Sequence, residues 1–392
     1  MGTYLNPDNS KFQESINSDI YVDKTGLITY TNSVMHTQQK CICVSRPRRF
    51  GKSMAANMLS AYYSRGCDSK ELFQNLEIAE DDQFETYLNQ YDVIFLNVQE
   101  FLSQSKNIDE MISLIRRSVL WDLLGEYPEF RYFDTSNLTR TMQDVYQQTK
   151  CPFVVIIDEW DCVFREYKTD RETQERYLDF LRDLLKDKGY IHLAYMTGIL
   201  PIKKYGTHSA LNMFDEFSMI EPGPLASYVG FTETEVQKLC GQYDMELEEV
   251  KNWYDGYSFD KALSVYSPRS VVSCMRLGKI GNYWNQTETF EALQVYIDMN
   301  FDGLKDDVLS MIAGNQVPVN IGSFTNDMTT FRSEDDVLTL LIHLGYLGYD
   351  SDNKAVFIPN GEIRSEYVNA VSVSDWGEVF GETGTGRGIE MG

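Results

Sequence analysis

The chain has 392 residues, of which 43% are apolar, 13% aromatic and 24% charged, and its formal net charge is −24 at pH 7. This length allows two or three domains with a substantial core, and the composition is that of a soluble globular protein. A surface this acidic repels nucleic acid and anionic membranes, no apolar stretch approaches the length that spans a bilayer, and the polar N-terminus is not that of a signal peptide.

Cysteine and histidine are sparse and scattered. The seven cysteines and four histidines show no paired metal-ligand spacing. Cys41 and Cys43 stand two apart in an apolar run, so both would point to one face of a strand and pack in the core. We therefore expect reduced thiols and a cytoplasmic protein.

Helical and strand-like patterns alternate over the first half of the chain. They are a helix at 25–38, a strand at 41–45, a helix from 54 to about 64, a strand at 93–97, amphipathic helices at 107–124 and 136–149, a strand at 153–157, a helix at 171–188, a strand at 191–196 and a short strand-like run at 217–220. The unbroken apolar run at 153–157 is typical of a parallel strand buried on both faces. This alternation predicts an α/β fold with a doubly wound parallel sheet between layers of helices.

The pattern becomes rich in helices after residue 223. Thr232 and Glu235 form a capping signature before a helix. Further along, residues 337–344 predict a helix, and the strand-like runs 346–349 and 355–358 predict a hairpin behind it.

These patterns divide the chain into four parts. We predict a sheet domain at 1–223, a helical lid at 224–320 and a winged-helix-like domain at 321–372. The segment 373–392 has no apolar periodicity and is rich in glycine, so we expect it to be poorly ordered.

The most informative segment follows the strand at 41–45 and reads Ser45-Arg46-Pro47-Arg48-Arg49-Phe50-Gly51-Lys52-Ser53. This layout, a buried strand followed by a loop ending in Gly-Lys-Ser and a helix start, is one that holds nucleoside triphosphates. Backbone amides and the positive helix end face the phosphates. The lysine reaches the outer phosphates, and the serine hydroxyl binds Mg²⁺. The full pattern has glycine where Arg46 stands, so an ordinary Gly-Lys turn at a helix start is the alternative. Four cations within seven residues of an acidic chain favour a polyanionic ligand.

An acidic pair, Asp158 and Glu159, directly follows the strand at 153–157. Ligands of open α/β sheets bind at the carboxyl ends of the strands, where this pair would lie. Asp158 would hold Mg²⁺ through water, and Glu159 would orient or deprotonate the attacking water. A solvated acidic loop behind a core strand is the alternative, but the two motifs together predict binding of ATP or GTP.

With these motifs, the sequence resembles the AAA-ATPase-like family of bacterial P-loop proteins, which are frequently fused to a PD-(D/E)xK nuclease-like domain. The resemblance covers about residues 10–370 and rests on Tyr21-Val22-Asp23-Lys24-Thr25, the segment 46–53, Ile157-Asp158-Glu159-Trp160-Asp161, Thr197-Gly198-Ile199, Trp253-Tyr254-Asp255-Gly256-Tyr257, Val265-Tyr266-Ser267-Pro268 and Gly345-Tyr346-Leu347. It implies a P-loop NTPase fold with a helical lid and a winged helix, and the phosphate loop without the first glycine is the family's own form. Two departures stand out: Trp160 replaces the common tyrosine, and the glycine-rich C-terminal segment looks like a truncated or misread continuation, so no nuclease activity is carried over.

The motifs and the resemblance assign roles to individual residues. We expect ATP to contact the loop residues Arg46, Pro47, Arg48, Arg49, Phe50, Gly51, Lys52, Ser53 and Met54. Lys52 would contact the outer phosphates, and Ser53 and Asp158 would hold Mg²⁺. Glu159, Lys52 and Thr197 are the candidate catalytic residues, with Thr197 either a γ-phosphate sensor or a capping threonine.

We therefore expect an ATP-binding, Mg²⁺-dependent ATPase whose hydrolysis drives a conformational switch. A nucleotide-dependent signalling or interaction module with little hydrolysis is one alternative, and the ATPase part of a DNA-acting, nuclease-linked system is another. A protein partner fits these expectations, whereas the acidic balance disfavours nucleic acid and membranes as partners. The oligomeric state and the preference between ATP and GTP stay open.

Overall fold

A computed structural model describes residues 2–202, 211–259, 263–284, 293, 295–296, 301, 303–324 and 331–373. The described residues divide into two compact units, one within residues 2–230 and the other within residues 231–373. The subdivision expected at residues 223, 320 and 372 stays a prediction. The segment expected to be poorly ordered, 373–392, lies outside the described residues except for the backbone of Val373.

The first unit contains an α/β fold. Its elements in chain order are α1 (Ser10–Ile16), α2 (Gly26–Val34), β1 (Cys41–Ser45), α3 (Lys52–Tyr63), α4 (Lys70–Phe73), a 3₁₀ turn (Glu77–Glu80), α5 (Phe84–Tyr87), β2 (Asp92–Asn97), α6 (Val98–Ser103), α7 (Ile108–Glu126), α8 (Leu138–Thr149), β3 (Phe153–Asp158), α9 (Cys162–Glu166), α10 (Arg171–Leu185), β4 (Ile191–Gly198), β5 (Asp215–Phe217) and a 3₁₀ turn (Gly223–Leu225).

The five strands form one parallel sheet in the order β2-β3-β4-β1-β5, flanked by the helices that connect them. The predicted parallel sheet is confirmed, and four of its strands lie where the apolar runs place them. The fifth strand ends at Phe217 instead of beginning there. Every residue of β1 and β3 is buried, which explains their unbroken apolar runs. Because β4 lies between β1 and β3, the segments that follow these three strands meet at one edge of the sheet.

The N-terminal segment covers the outer edge of β2. Leu5 forms an antiparallel bridge with Ile94, and the amide of Phe95 donates to the carbonyl of Tyr4 at 2.9 Å. A strand edge left open would be a template for pairing with another chain. The sequence patterns did not predict this pairing, because the segment is too short to show periodicity.

Several helices of the first unit begin at a side-chain cap. Asn97, Asn107, Asn137 and Asp170 each accept a hydrogen bond from a first-turn amide of α6, α7, α8 and α10 respectively. Such caps satisfy amides that have no acceptor within the helix. The long helices α7, α8 and α10 match the predicted helices, although α10 ends at Leu185, before the predicted residue 188. Among the described residues, none of the helices is both long and apolar enough to cross a membrane.

The second unit combines short helices with two small sheets. Its elements are β6 (Phe231–Thr232), α11 (Glu233–Tyr243), α12 (Leu247–Tyr254), β7 (Tyr257–Phe259), β8 (Leu263–Tyr266), α13 (Pro268–Leu277), α14 (Leu304–Ile312), β9 (Val317–Pro318), α15 (Glu334–Leu344), β10 (Gly348–Asp350), β11 (Ala355–Phe357) and α16 (Gly361–Val373). The sheets have the orders β6-β8-β7 and β10-β11-β9, and their strands are antiparallel.

Two local predictions for the second unit are confirmed. Thr232 and Glu235 form a complete capping box at the start of α11. The helix predicted at 337–344 lies within α15, and the antiparallel pair β10 and β11 follows it as the expected hairpin. The name winged helix for this arrangement stays a prediction.

A buried carboxyl group connects α16 to the rest of the second unit. Glu362, in the first turn of α16, accepts hydrogen bonds from the hydroxyl of Ser270 at 2.7 Å and from the amides of Tyr283 and Trp284 at 2.6 and 2.9 Å. Burial raises the pKa of Glu362 to about 7. These contacts attach α13 and the segment at 283–284 to the start of α16.

Candidate functional site

The loop between β1 and α3 turns sharply at two left-handed residues. Arg49 has φ 69° and Gly51 has φ 92°. A Cβ atom added to Gly51 would meet none of the described residues within 4 Å, so glycine is needed there for its backbone conformation, and the described part of the chain leaves the space above it open. At the start of the loop, the amide of Arg46 donates to the carbonyl of Gly198 at 3.0 Å and extends the pairing of β1 with β4.

The start of α3 carries no side-chain cap, in contrast to α6, α7, α8 and α10. The first-turn amides of a helix have no acceptor within the helix, and they carry part of the positive end of its dipole. Ser53 and Met54, in this first turn, are exposed. This end of α3 therefore has the features that attract an anion.

Lys52 lies beneath the loop. Its side chain is buried, and its Nζ donates a hydrogen bond to the carbonyl of Pro47 at 2.9 Å. Burial lowers the pKa of Lys52, and the negative charges of Glu159, Asp161 and Asp158 oppose this shift. The ammonium group thus lies within electrostatic reach of the predicted acidic pair.

Asp158 is the last residue of β3 and is 1% exposed. Its Oδ1 accepts hydrogen bonds from the hydroxyl of Thr197 and, at 3.0 Å, from the amide of Glu159. In the sheet register Thr197 lies opposite Val44 of β1. The structure therefore places Thr197 between the strand that enters the phosphate loop and the strand that ends at Asp158.

Glu159 follows with a left-handed backbone, at φ 55°. Its Oε2 pairs with a guanidinium nitrogen of Arg165 at 2.5 Å. Its other oxygen, Oε1, has no hydrogen-bond partner among the described residues. Burial raises the pKa of Glu159, while the charges of Lys52 and Arg165 oppose the shift.

The predicted loop residues do not share one environment. Buried are Arg46, Pro47, Phe50 and Lys52, half-buried are Arg49 and Gly51, and exposed are Arg48, Ser53 and Met54. The side chains of Pro47 and Phe50 are buried, and their contact with ATP stays a prediction. Arg48 and Arg49 stay predicted phosphate contacts.

Arg46 has a different environment from the one expected for a phosphate ligand. Its side chain is fully buried, and one guanidinium nitrogen donates to the carbonyls of Ser45 and Phe217, each at 3.0 Å. Burial lowers the pKa of Arg46 to about 10. This arginine thus connects the ends of β1 and β5, because the edge strand brings its carbonyl close to the start of the loop.

Asp161 and Arg165 belong to the same cluster but were not predicted as site residues. Asp161 is fully buried, and its Oδ2 accepts from the amides of Ile199 and Leu200 and from Nε of Arg165, at 3.2, 2.9 and 3.2 Å. Asp161 and Arg165 are four residues apart, which places them on one face of a helical turn, and this spacing could have indicated the pair.

The family model described as Predicted AAA-ATPase matches residues 9–207, about half of the chain. This range contains the phosphate loop, the acidic pair and the end of β4. A curated protein of Azotobacter chroococcum mcd 1, named "Uncharacterized protein in vnfD 5'region", is 22% identical over 280 residues, which cover 69% of this chain and 51% of that protein. The chain thus spans about half the length of the curated relative that it matches.

The solved structures that resemble the chain distantly include two proteins of Aeropyrum pernix. The Aeropyrum pernix ORC2 protein, in ADPNP-ADP complexes, is 12% identical with a TM-score of 0.37, covering 93% of this chain and 98% of that chain. The Aeropyrum pernix ORC1 protein, in complex with DNA, is 10% identical with a TM-score of 0.30, covering 97% and 100%. Similarities this low carry no argument about ligands or partners.

Proposed function

The chain belongs to the Predicted AAA-ATPase family, and on this premise we propose that it binds ATP with Mg²⁺ at the loop between β1 and α3 and hydrolyses it. One observation supports this proposal most strongly. Lys52 is the first residue of α3, which starts without a side-chain cap, and its buried ammonium lies within electrostatic reach of Asp158 and Glu159. A positively charged helix start that suits phosphates thus lies next to two carboxylates that suit a cation and a water molecule.

The residues present fit a triphosphate and Mg²⁺. The first-turn amides of α3 and the open space above Gly51 suit phosphate oxygens. Mg²⁺ is usually bound by one or two protein groups together with water and substrate phosphates, and we assign Ser53 and Asp158 as the protein groups here. When bound, Mg²⁺ would neutralise charge on the phosphate oxygens.

The proposed chemistry assigns a separate task to each side chain. Lys52 exchanges its hydrogen bond with the Pro47 carbonyl for one with a phosphate oxygen. Glu159 orients the attacking water through Oε1, the oxygen that no described residue occupies. Because the hydroxyl hydrogen of Thr197 is donated to Asp158, we assign Thr197 to holding Asp158, and a direct contact with phosphate would require that hydrogen bond to break.

Two variants test the assignment. Lys52→Ala should weaken binding of a fluorescent ATP analogue by at least about tenfold, since a buried charge-assisted contact is lost. Glu159→Gln should retain binding but lower phosphate release by about 10²- to 10³-fold. Lys70→Ala is the matched control, because Lys70 forms a surface pair with Glu85 and should leave both activities unchanged. Tight ATP binding by Lys52→Ala would overturn the role of this lysine.

These assays, together with a DNA-binding measurement, separate the alternatives. Normal ATP binding by the wild type with turnover at background would indicate a nucleotide-dependent signalling or interaction module. DNA binding that weakens steeply with added salt would indicate a DNA-acting system. The conformational switch belongs to the proposal, and protease protection with and without ATP would test it.

A further inference from the structure

A chain of contacts connects the end of β4 to Glu159. The amides of Ile199 and Leu200 hold Asp161, which pairs with Nε of Arg165. A second nitrogen of Arg165 holds Oε2 of Glu159. The planar guanidinium therefore bridges two carboxylates, and only an arginine offers nitrogens in this fixed fork.

Arg165 is more buried than the arginines that form surface ion pairs in the first unit. Its side chain is 12% exposed between Asp161 at 0% and Glu159 at 25%. Arg182, which pairs with Asp179 on α10, is 45% exposed. A surface pair contributes little to stability, whereas breaking a buried pair leaves an uncompensated charge and disturbs its surroundings.

These contacts restrict the position of the Glu159 carboxylate. The backbone of Glu159 is fixed by its left-handed turn and by the hydrogen bond that its amide donates to Oδ1 of Asp158. With Oε2 held by Arg165, the side chain loses the rotamer freedom that a glutamate normally keeps. Oε1 is therefore the oxygen that can accept a hydrogen bond from a water molecule.

We propose that Arg165 is a positioning residue, which aims Oε1 of Glu159 at the attacking water. This inference rests on the proposed ATP hydrolysis and deepens it. The hydroxyl of Thr197 donates a hydrogen bond to Asp158. The amides of Ile199 and Leu200 donate to Asp161, which pairs with Arg165, and Arg165 in turn pairs with Glu159. The carboxyl end of β4 thus positions both members of the acidic pair.

The first test compares Arg165→Met with Arg165→Lys in steady-state ATP turnover. Arg165→Met should lower kcat by about 10- to 100-fold, because a small displacement of a reacting group has effects of this size. KM for ATP should stay within about threefold, since the phosphate contacts are made elsewhere. Arg165→Lys keeps the charge but not the fork, so its kcat should lie between those of Arg165→Met and the wild type. Arg182→Met is the matched control and should behave as the wild type.

A second test combines the variants with Glu159→Gln. If Arg165 acts through Glu159, Arg165→Met should lower kcat little further in the Glu159→Gln background. In the nucleotide-free protein, Arg165→Met should shift the urea midpoint less in that background than in the wild type. The urea measurement needs no activity, and Arg165→Lys supplies the kinetic comparison if Arg165→Met does not fold.

The outcomes separate this inference from the proposed function. A wild type that does not bind ATP overturns both. If Arg165→Met turns over ATP with the kcat of the wild type, the inference alone is overturned. If Arg165→Met is unfolded, a wild-type kcat in Arg165→Lys has the same consequence. An equal loss of kcat from Arg165→Met with and without Glu159→Gln also overturns it, because Arg165 would then act independently of Glu159.

Discussion

Substitution of Gly198, at the end of β4, by alanine tests how tightly the site is packed. A Cβ atom added there would lie 2.6 Å from Cδ1 and Nε1 of Trp160 and 2.8 Å from Oδ1 of Asp161. Both neighbours are fully buried, so neither side chain can turn away into solvent. The alanine variant must therefore move the indole ring or the carboxylate that holds Arg165.

The contact distances set the size of the effect. Overpacking a core typically costs about 1–3 kcal/mol. Because two enclosed groups are involved, we expect Gly198→Ala to destabilise the first unit by about 2–3 kcal/mol. For a unit of this size, such a loss lowers the melting temperature by about 5–10 °C.

Thermal unfolding followed by circular dichroism measures this effect, with Gly125→Ala as the matched control. Gly125 lies in α7, and an added Cβ atom would meet no atom of the described residues within 4 Å. Alanine in a helix with open space should stabilise the same unit by about 0.5–1 kcal/mol. The two Gly→Ala changes should thus shift one transition in opposite directions. If Gly198→Ala melted within about 1 °C of the wild type, the close packing of Trp160 and Asp161 against Gly198 would be refuted.

Two further predictions concern the second unit. Because burial raises the pKa of Glu362 from its ordinary value of 4.5 to about 7, the folded chain binds this proton more tightly than the unfolded chain. Its contribution to stability is therefore complete below about pH 4.5 and is lost as the pH rises through about 7. Urea midpoints should fall between about pH 5 and pH 8 in the wild type and fall less in Glu362→Gln, and equal slopes would contradict the argument. Gly256 has φ 109°, and an added Cβ atom would lie 1.9 Å from the carbonyl oxygen of Pro359. Gly256→Ala should therefore abolish cooperative unfolding of the second unit, and a wild-type transition by circular dichroism would refute this.

Local sequence patterns carried enough information to predict most of the helices and strands. Residues 153–157 form a buried strand because five apolar side chains in a row need cover on both faces, which a parallel sheet supplies. The capping box at Thr232 and Glu235 formed as predicted because both of its hydrogen bonds close within one helical turn. The helix that begins at Lys52 and the sharp turn before it also depend on neighbouring residues, whereas phosphate binding at this loop stays a proposal.

Contacts between distant segments were decided only by the tertiary structure. The sequence does not state that β4 lies between β1 and β3, because strand order depends on how the whole sheet packs, and this order brings Thr197 to Asp158. The burial of Arg46 likewise depends on the edge strand β5, whose carbonyl at Phe217 accepts its hydrogen bond. The sequence shows which side chains are charged but not which of them pair. An ion pair depends on the distance between the two groups and on their desolvation, and both are set only when the chain is folded.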